Sequence, residues 1–216
     1  METLKRCPLL CGLSEDACAG VLRLCRKKEY PKDAHLIMPQ DQVDQVGILV
    51  SGKIRLLHLS PDGEGQLMNV ILPSGLLGAD LICTRTRQAP YHAQAATAVK
   101  VLFLPAEVIL KPGQLEENDR QRILQNLLTY LSDSNMKKEY RLAILSQRGV
   151  RERVMTYLTM QVGKRGTNTV TVPFSREELA SFLCVNRSAL SHELSKMEQD
   201  GLITFRKNQF SILNGR

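Results

Sequence analysis

Residues 173–200 read PFSREELASFLCVNRSALSHELSKMEQD, and this stretch decides the fold. Ser175 is suited to cap a helix, and Glu178 follows three residues later, the spacing of a capping box. Leu179, Phe182 and Leu183 give that helix an apolar face, and Ala180 is small where a second helix would cross. Cys184-Val185-Asn186 interrupts the run. A second helix then carries Leu190, Leu194 and Met197 at i, i+4 and i+7. Its opposite side holds only Arg187, Ser188, Ser191, His192 and Ser195.

Two helices joined by a three- to four-residue turn form the helix-turn-helix plan. A helix that buries one stripe and presents short polar side chains on the other fits the major groove of DNA. Arginine grips a guanine edge by two bonds, and serine and histidine reach base edges or phosphates. A solvated helical hairpin would explain each feature alone but not their agreement in register.

Downstream, Gly201 ends the second helix. Leu202–Phe205 and Phe210–Leu213, joined by Arg206-Lys207-Asn208-Gln209, read as a hairpin. Upstream, Thr167–Pro173 alternates Thr and Val and reads as a strand. A winged helix-turn-helix follows, with a basic wing tip at Lys207 placed for phosphate contact. Before it, Arg151–Val162 is expected to be a helix, with Gly149 as the breaker between it and a longer one.

That longer helix runs from about Leu115 to Ser146. Ile123, Leu124, Leu127, Leu128 and Leu131 form a stripe that lapses at Ser132-Asp133-Ser134-Asn135 and resumes at Leu142, Ile144 and Leu145. An apolar stripe on so long a helix needs a partner, and the same helix of a second copy is the economical one.

From Tyr30 to Pro105 the period shortens. Apolar runs at Val46–Val50, Ile54–Leu59, Leu67–Leu72 and Val99–Leu104 alternate with turn signals at Pro39-Gln40-Asp41, Ser51-Gly52-Lys53, Pro61-Asp62-Gly63 and Pro73-Ser74-Gly75. Short, evenly spaced strands of this kind predict an antiparallel sandwich or small barrel. Residues 1–30 look helical, with a start at Leu13-Ser14-Glu15-Asp16 and an apolar face through Val21, Leu22 and Cys25 as far as Arg26-Lys27-Lys28. The expected fold is α+β: a sensor region over 1–114, a dimerisation helix over 115–146 and a DNA-binding domain over 147–216.

The formal charge of +7 over 216 residues suits a nucleic-acid partner. No run of ~18 apolar residues is present to span a membrane, and the N-terminus lacks a signal peptide's apolar segment. A cytoplasmic protein whose six cysteines stay thiols is expected. The motifs G-x-x-x-x-G-K-[ST], G-x-S-x-G, H-E-x-x-H and paired C-x-x-C are all absent, so nothing points to an enzyme.

VSGKIRLLHLSPDGEGQL, LSQRGVRERVMTYL and REELASFLCVNRSALSHELSKMEQDGLI, in that order, carry a resemblance to the Crp/Fnr superfamily of bacterial transcription factors. The resemblance covers essentially the whole chain. It implies an N-terminal β-roll of the jelly-roll, cyclic-nucleotide-binding-like kind, a long dimer helix and a winged helix-turn-helix. It also implies a homodimer on a palindromic operator, contact with RNA polymerase, and an effector that reorients the DNA-binding domains. By resemblance, Ser175, Arg176 and Asn186 hold phosphates, and Arg187, Ser188, Ser191 and His192 read bases. Many relatives carry Glu where Ser188 stands and Arg where His192 stands, so a different operator is implied. Cys184 takes the place of a usual glycine in the turn and is expected at positive φ.

Members that bind cyclic AMP use a Gly-Glu pair for the ribose and an Arg-Ser pair for the phosphate. The matching stretches here are Leu77-Gly78-Ala79-Asp80 and Tyr91-His92-Ala93. Ala79 stands at the glutamate position and Tyr91 at the arginine position, so the phosphate would lack its bidentate partner. An effector other than cyclic AMP is expected, with Gly78, Ala79, Asp80, Tyr91, His92, Ser132 and Asn135 as pocket candidates. A regulator sensing through an iron–sulfur cluster is an alternative of the same fold. Cys7, Cys11, Cys18, Cys25 and Cys83 are the cluster candidates, although their spacing is wider than the oxygen-sensing pattern. A thiol switch and plain packing are the other readings of these cysteines. For haem, His35, His58 and His92 are the available ligands. A further alternative is a ligand- or nucleotide-binding module whose helix-turn-helix docks protein.

Overall fold

The computed structural model describes residues 2–59, 65–165 and 168–213. These form two compact units, Met1–Ser134 and Asn135–Arg216. The division falls inside the long helix, whereas the sequence suggested boundaries at its two ends.

The first unit opens with a helical turn, α1 (Glu2–Lys5), and a 3-10 turn at Pro8–Leu10, followed by α2 (Glu15–Leu24). Ser14 caps α2 by accepting from the Ala17 amide. The helix stops at Leu24. Arg26–Tyr30, expected to continue helical texture, is strand β1. It pairs antiparallel with β8 (Val99–Pro105) from Arg26↔Phe103 to Tyr30↔Val99. β1 is an edge strand, where lysines are well placed to discourage further pairing. A run of like charges therefore concealed a strand.

Two four-stranded antiparallel sheets make the roll. One has the order β1-β8-β3-β6, with β3 at Gln45–Ser51 and β6 at Leu76–Leu77. The other has the order β2-β7-β4-β5, with β2 at His35–Ile37, β7 at His92–Ala95, β4 at Ile54–Leu59 and β5 at Gly65–Ile71. The predicted turn Pro61-Asp62-Gly63 lies outside the described residues. The turn at Ser51-Gly52 is described, and a Cβ on Gly52 (φ +90°) would meet the Ala98 carbonyl, so only glycine fits.

Alternation along the strands decides the core. Leu49, Leu77, Val99 and Val101 from the first sheet meet Ile54, Ile71, Ala93 and Ala95 from the second. Val46, Ile48 and Leu104, from the other face of β3 and β8, pack under Leu9, Val21, α3 (Ala106–Leu110) and the start of α4 (Glu117–Leu145). Such a sheet, covered on both faces, reads as a nearly continuous apolar run.

Helix α4 runs unbroken through Ser132-Asp133-Ser134-Asn135, where its stripe was read as lapsing. The stripe itself is divided. Ile123 and Leu127 are buried in the first unit's own core. Leu128 and Leu142 face outward, 64% and 62% exposed. The expectation that the whole stripe awaits a second chain is therefore corrected: half of it is used at home.

The second unit continues from Asn135 along α4 and adds α5 (Val150–Arg165), β9 (Thr169–Thr171), α6 (Arg176–Phe182), α7 (Arg187–Gln199), β10 (Ile203–Arg206) and β11 (Gln209–Ile212). Gly149 does not break α4, which ends four residues earlier. Its carbonyl accepts from the Arg153 amide, so it opens α5 instead. The three strands form a sheet of order β10-β11-β9. Thr167, part of the predicted strand there, lies outside the described residues.

Candidate nucleic-acid interface

Helix α6 starts where the capping box predicted. Ser175 Oγ accepts from the Glu178 amide at 3.2 Å, and the Ser175 amide donates to Glu178 Oε2 at 2.8 Å. The helix ends at Leu183, and Cys184 takes φ +55°. A cysteine is thus held in the left-handed region where glycine costs least. Asn186 then caps α7, its Oδ1 accepting from the Ser188 amide at 2.8 Å and from the Ser188 hydroxyl.

The inward stripe of α7 is Leu190, Leu194 and Met197, all fully buried, and Leu179, Ala180 and Leu183 of the preceding helix and turn are buried too. Burial of each such side chain stabilises the unit by about 1.5–3 kcal/mol. Arg187, Ser188, Ser191, His192 and Ser195 are all exposed on the outward side. The polar face read from the sequence is therefore one continuous solvent-facing surface.

The four phosphate candidates differ in their engagement. Ser175 and Asn186 serve as helix caps. Lys207 is exposed at the wing tip with φ +55°. Arg176 is half-buried: its guanidinium lies over the rings of Phe205 and Phe210, and Nη2 donates to the Lys207 carbonyl at 3.2 Å. Burial lowers its pKa from the usual arginine range.

A set of bracing residues gave no signal in the sequence, because its members lie 30 or more positions apart. Arg153 donates to the carbonyls of Leu183 and Cys184, the unsatisfied end of α6. Arg141 stacks over Phe182 and donates to its carbonyl. Arg151 reaches two carboxylates, Glu193 of α7 at 2.6 Å and Asp200 at its C-terminal cap at 2.7 Å.

In the roll, Gly78 (φ +75°), Asp80 and Tyr91 come together. The Tyr91 hydroxyl donates to Asp80 Oδ1 at 2.9 Å. Burial, with the Asp80 charge, drives the Tyr91 pKa well above the usual phenol range. Ala79 is 1% exposed and belongs to the core. His92 turns to His35 instead, the two rings stacked at 4.6 Å between centroids with Nδ1 of His35 against Nε2 of His92. Ser132 and Asn135 are exposed. A cleft of about 140 Å³ lies elsewhere, bounded by Lys28, Tyr30, Val43, Gln45 and Phe103. None of the candidate effector residues lines it, and it is below the ~300 Å³ usual for small-molecule sites.

The cysteines divide likewise. Cys7 is fully buried in the core and Cys25 donates to the Val21 carbonyl. Burial pushes both thiols up to about 11, the behaviour of small hydrophobes. Cys11 and Cys83 are exposed and Cys18 is intermediate. The described residues gather no three of His, Cys, Asp or Glu in a metal-holding group. Nor is there among the described residues a helix long and apolar enough to cross a membrane.

The fold and its reading helix define a class, a cyclic-nucleotide-binding-type roll joined to a winged helix-turn-helix. The family models agree: the cyclic nucleotide-binding domain matches residues 27–111 and the Crp-like helix-turn-helix domain matches residues 152–215. The transcriptional activator protein FnrA of Stutzerimonas stutzeri is 25% identical over 194 residues, covering 88% of this chain and 77% of its own length. Among solved structures, FixK2 from Bradyrhizobium japonicum superposes with a TM-score of 0.67 at 19% identity, over 88% of this chain and 93% of its own. The c-di-GMP-responsive global regulator CLP of Xanthomonas campestris gives 0.71 at 17% identity, over 94% and 100%. The chain belongs to the Crp/Fnr family of transcription regulators.

Proposed function

We propose that this regulator acts as a homodimer that reads a palindromic DNA operator. The carrying observation is the outward face of α7, where Arg187, Ser188, Ser191, His192 and Ser195 are exposed together above a fully buried apolar stripe. Arg187, Ser188, Ser191 and His192 contact base edges in the major groove. Ser175, Arg176, Asn186 and Lys207 set the register on phosphates, the first and third by presenting helix N-termini.

Dimerisation rests on α4. Leu128 and Leu142 are two heptads apart on one helix and strongly exposed, the pattern of a seam awaiting an identical helix. The domain plan shared with FixK2 and CLP supports the same reading. FnrA is described as a transcriptional activator, which supports contact with RNA polymerase and a cytoplasmic site of action.

The roll responds to an effector other than cyclic AMP. Where cyclic-AMP-binding members place a ribose carboxylate and a phosphate arginine, this chain has a buried alanine and a buried tyrosine bonded to Asp80. Effector binding shifts the population of two arrangements of the reading helices. Gel shift in graded salt is the test: affinity for selected duplexes falls steeply as salt rises. An affinity that ignores both salt and sequence contradicts the proposal and favours a protein-docking role.

A further inference from the structure

Apolar packing, which is non-directional, holds α7; directional contacts come from the Phe205 amide, which donates to Glu198 Oε1 near the helix end, and from the guanidinium of Arg151. Arg151, the second residue of α5, sends Nε to Glu193 Oε1 at 2.6 Å and Nη2 to Asp200 Oδ2 at 2.7 Å. Glu193 lies within α7, next to His192, and Asp200 is the residue that caps its end. Positions 193 and 200 are two helical turns apart in the backbone, about 10 Å along the axis, and their carboxylates converge on the one guanidinium. Arg151 and Glu193 are partly shielded from solvent, whereas Asp200 is exposed. A charge-assisted hydrogen bond such as that to Glu193 is stronger than a neutral one.

Two anchors on one rod do what a greasy stripe cannot. Leu190, Leu194 and Met197 bury one side of α7, and such packing carries no directional preference of its own. The hydrogen bond from Arg151 to Glu193 restrains the roll of α7, and the ion pair with Asp200 restrains the slide along its axis. Arg187, Ser188, Ser191 and His192 ride on the same backbone, so their approach to base edges follows from where Arg151 holds the helix.

We infer that Arg151 is a positioning residue for sequence recognition: through Glu193 and Asp200 it sets the azimuth of the base-reading face without itself touching DNA. This rests on the DNA-reading function proposed above. It implies that losing the clamp blurs discrimination between sequences more than it weakens attachment to DNA, which depends on phosphate contacts.

The experiment compares the full-length wild type with R151M, E193Q and the exchange R151E/E193R. Affinity is measured at one salt concentration for a duplex selected by the wild type from a randomised pool and for a scrambled duplex of equal composition. R151M and E193Q change the net charge in opposite directions, so a coulombic effect moves their affinities for the scrambled duplex oppositely. A lost position lowers the ratio of selected to scrambled affinity in both, by about tenfold, and the exchange restores most of it. E193Q, nearly isosteric, carries the test if R151M fails to fold. An unchanged ratio in E193Q, or ratios moving in opposite directions in the two single variants, overturns the inference and leaves the DNA-reading function standing. A wild type that enriches no sequence overturns that function and this inference with it.

Discussion

The guanidinium carbon of Arg176 lies 5.0 Å from the centre of the Phe205 ring, and the same group donates to the Lys207 carbonyl at the wing tip. One side chain therefore joins the start of α6 to both strands of the wing. Arg176→Ala is expected to lower the stability of the second unit by about 1 kcal/mol, the range of a partly exposed cation–π contact. Arg176→Lys keeps the charge but loses the planar stack, and recovers less than half of that. Denaturant unfolding of both variants, followed by near-ultraviolet circular dichroism, checks the order.

Arg187 is exposed at the first turn of α7. Arg187→Ala is expected to leave the unfolding midpoint unchanged while costing about 1–3 kcal/mol of binding to the selected duplex. The loss should concentrate at one base position in each half-site. Competition binding against single-position variants of the duplex measures it.

Leu194 is fully buried on the inward side of α7. Leu194→Ala removes that packing and is expected to cost about 2–5 kcal/mol of stability. Thermal unfolding in the presence and absence of DNA separates this loss from a direct effect on binding.

Burial lowers the pKa of His92 from 6.5, and its neighbour His35 adds to the shift. The charged groups facing the pair across the same sheet include Arg55, which is bonded to Gln94, and Asp33. A histidine with a depressed folded-state pKa favours folding while neutral. The folded state then binds fewer protons than the unfolded one, so stability falls as pH drops below about 6.5 and is unaffected above it. Unfolding of the full chain between pH 7.5 and 5.5 should show this slope, and His92→Asn should flatten it.

Much of this was written in the chain. The cap Ser175 and the buried triplet Leu190, Leu194 and Met197 depend on neighbours within a turn or two, and local spacing announces them. The positive φ at Cys184 is implied by the family resemblance, whereas the capping role of Asn186 emerged only from the structure. What escaped depends on distant partners. Strand β1 was hidden because Lys27 and Lys28 lie on a sheet edge, where solvated charge is favourable in a strand. Ile123 and Leu127 could not be told from Leu128, since a stripe does not say which of its members the home domain will cover. Arg151 meets Glu193, 42 positions further along, only after the chain folds back. The roles of Gly78, Asp80 and Tyr91 were drawn from resemblance, and their joining by a tyrosine–aspartate bond became visible only in three dimensions.

Exposed Leu128 and Leu142 carry the dimer reading. The double substitution Leu128→Lys and Leu142→Lys places like charges in the proposed seam and is expected to yield monomers at micromolar concentration, with the roll still folded. Sedimentation equilibrium distinguishes this from an unchanged dimer.

The most direct measurement is selection of duplexes from a randomised pool by the purified full chain, followed by footprinting of the enriched sequences. The expected result is a palindrome with two protected half-sites centred about 34 Å apart, one turn of DNA. Enrichment of no sequence, or protection of a single unpaired site, would contradict it.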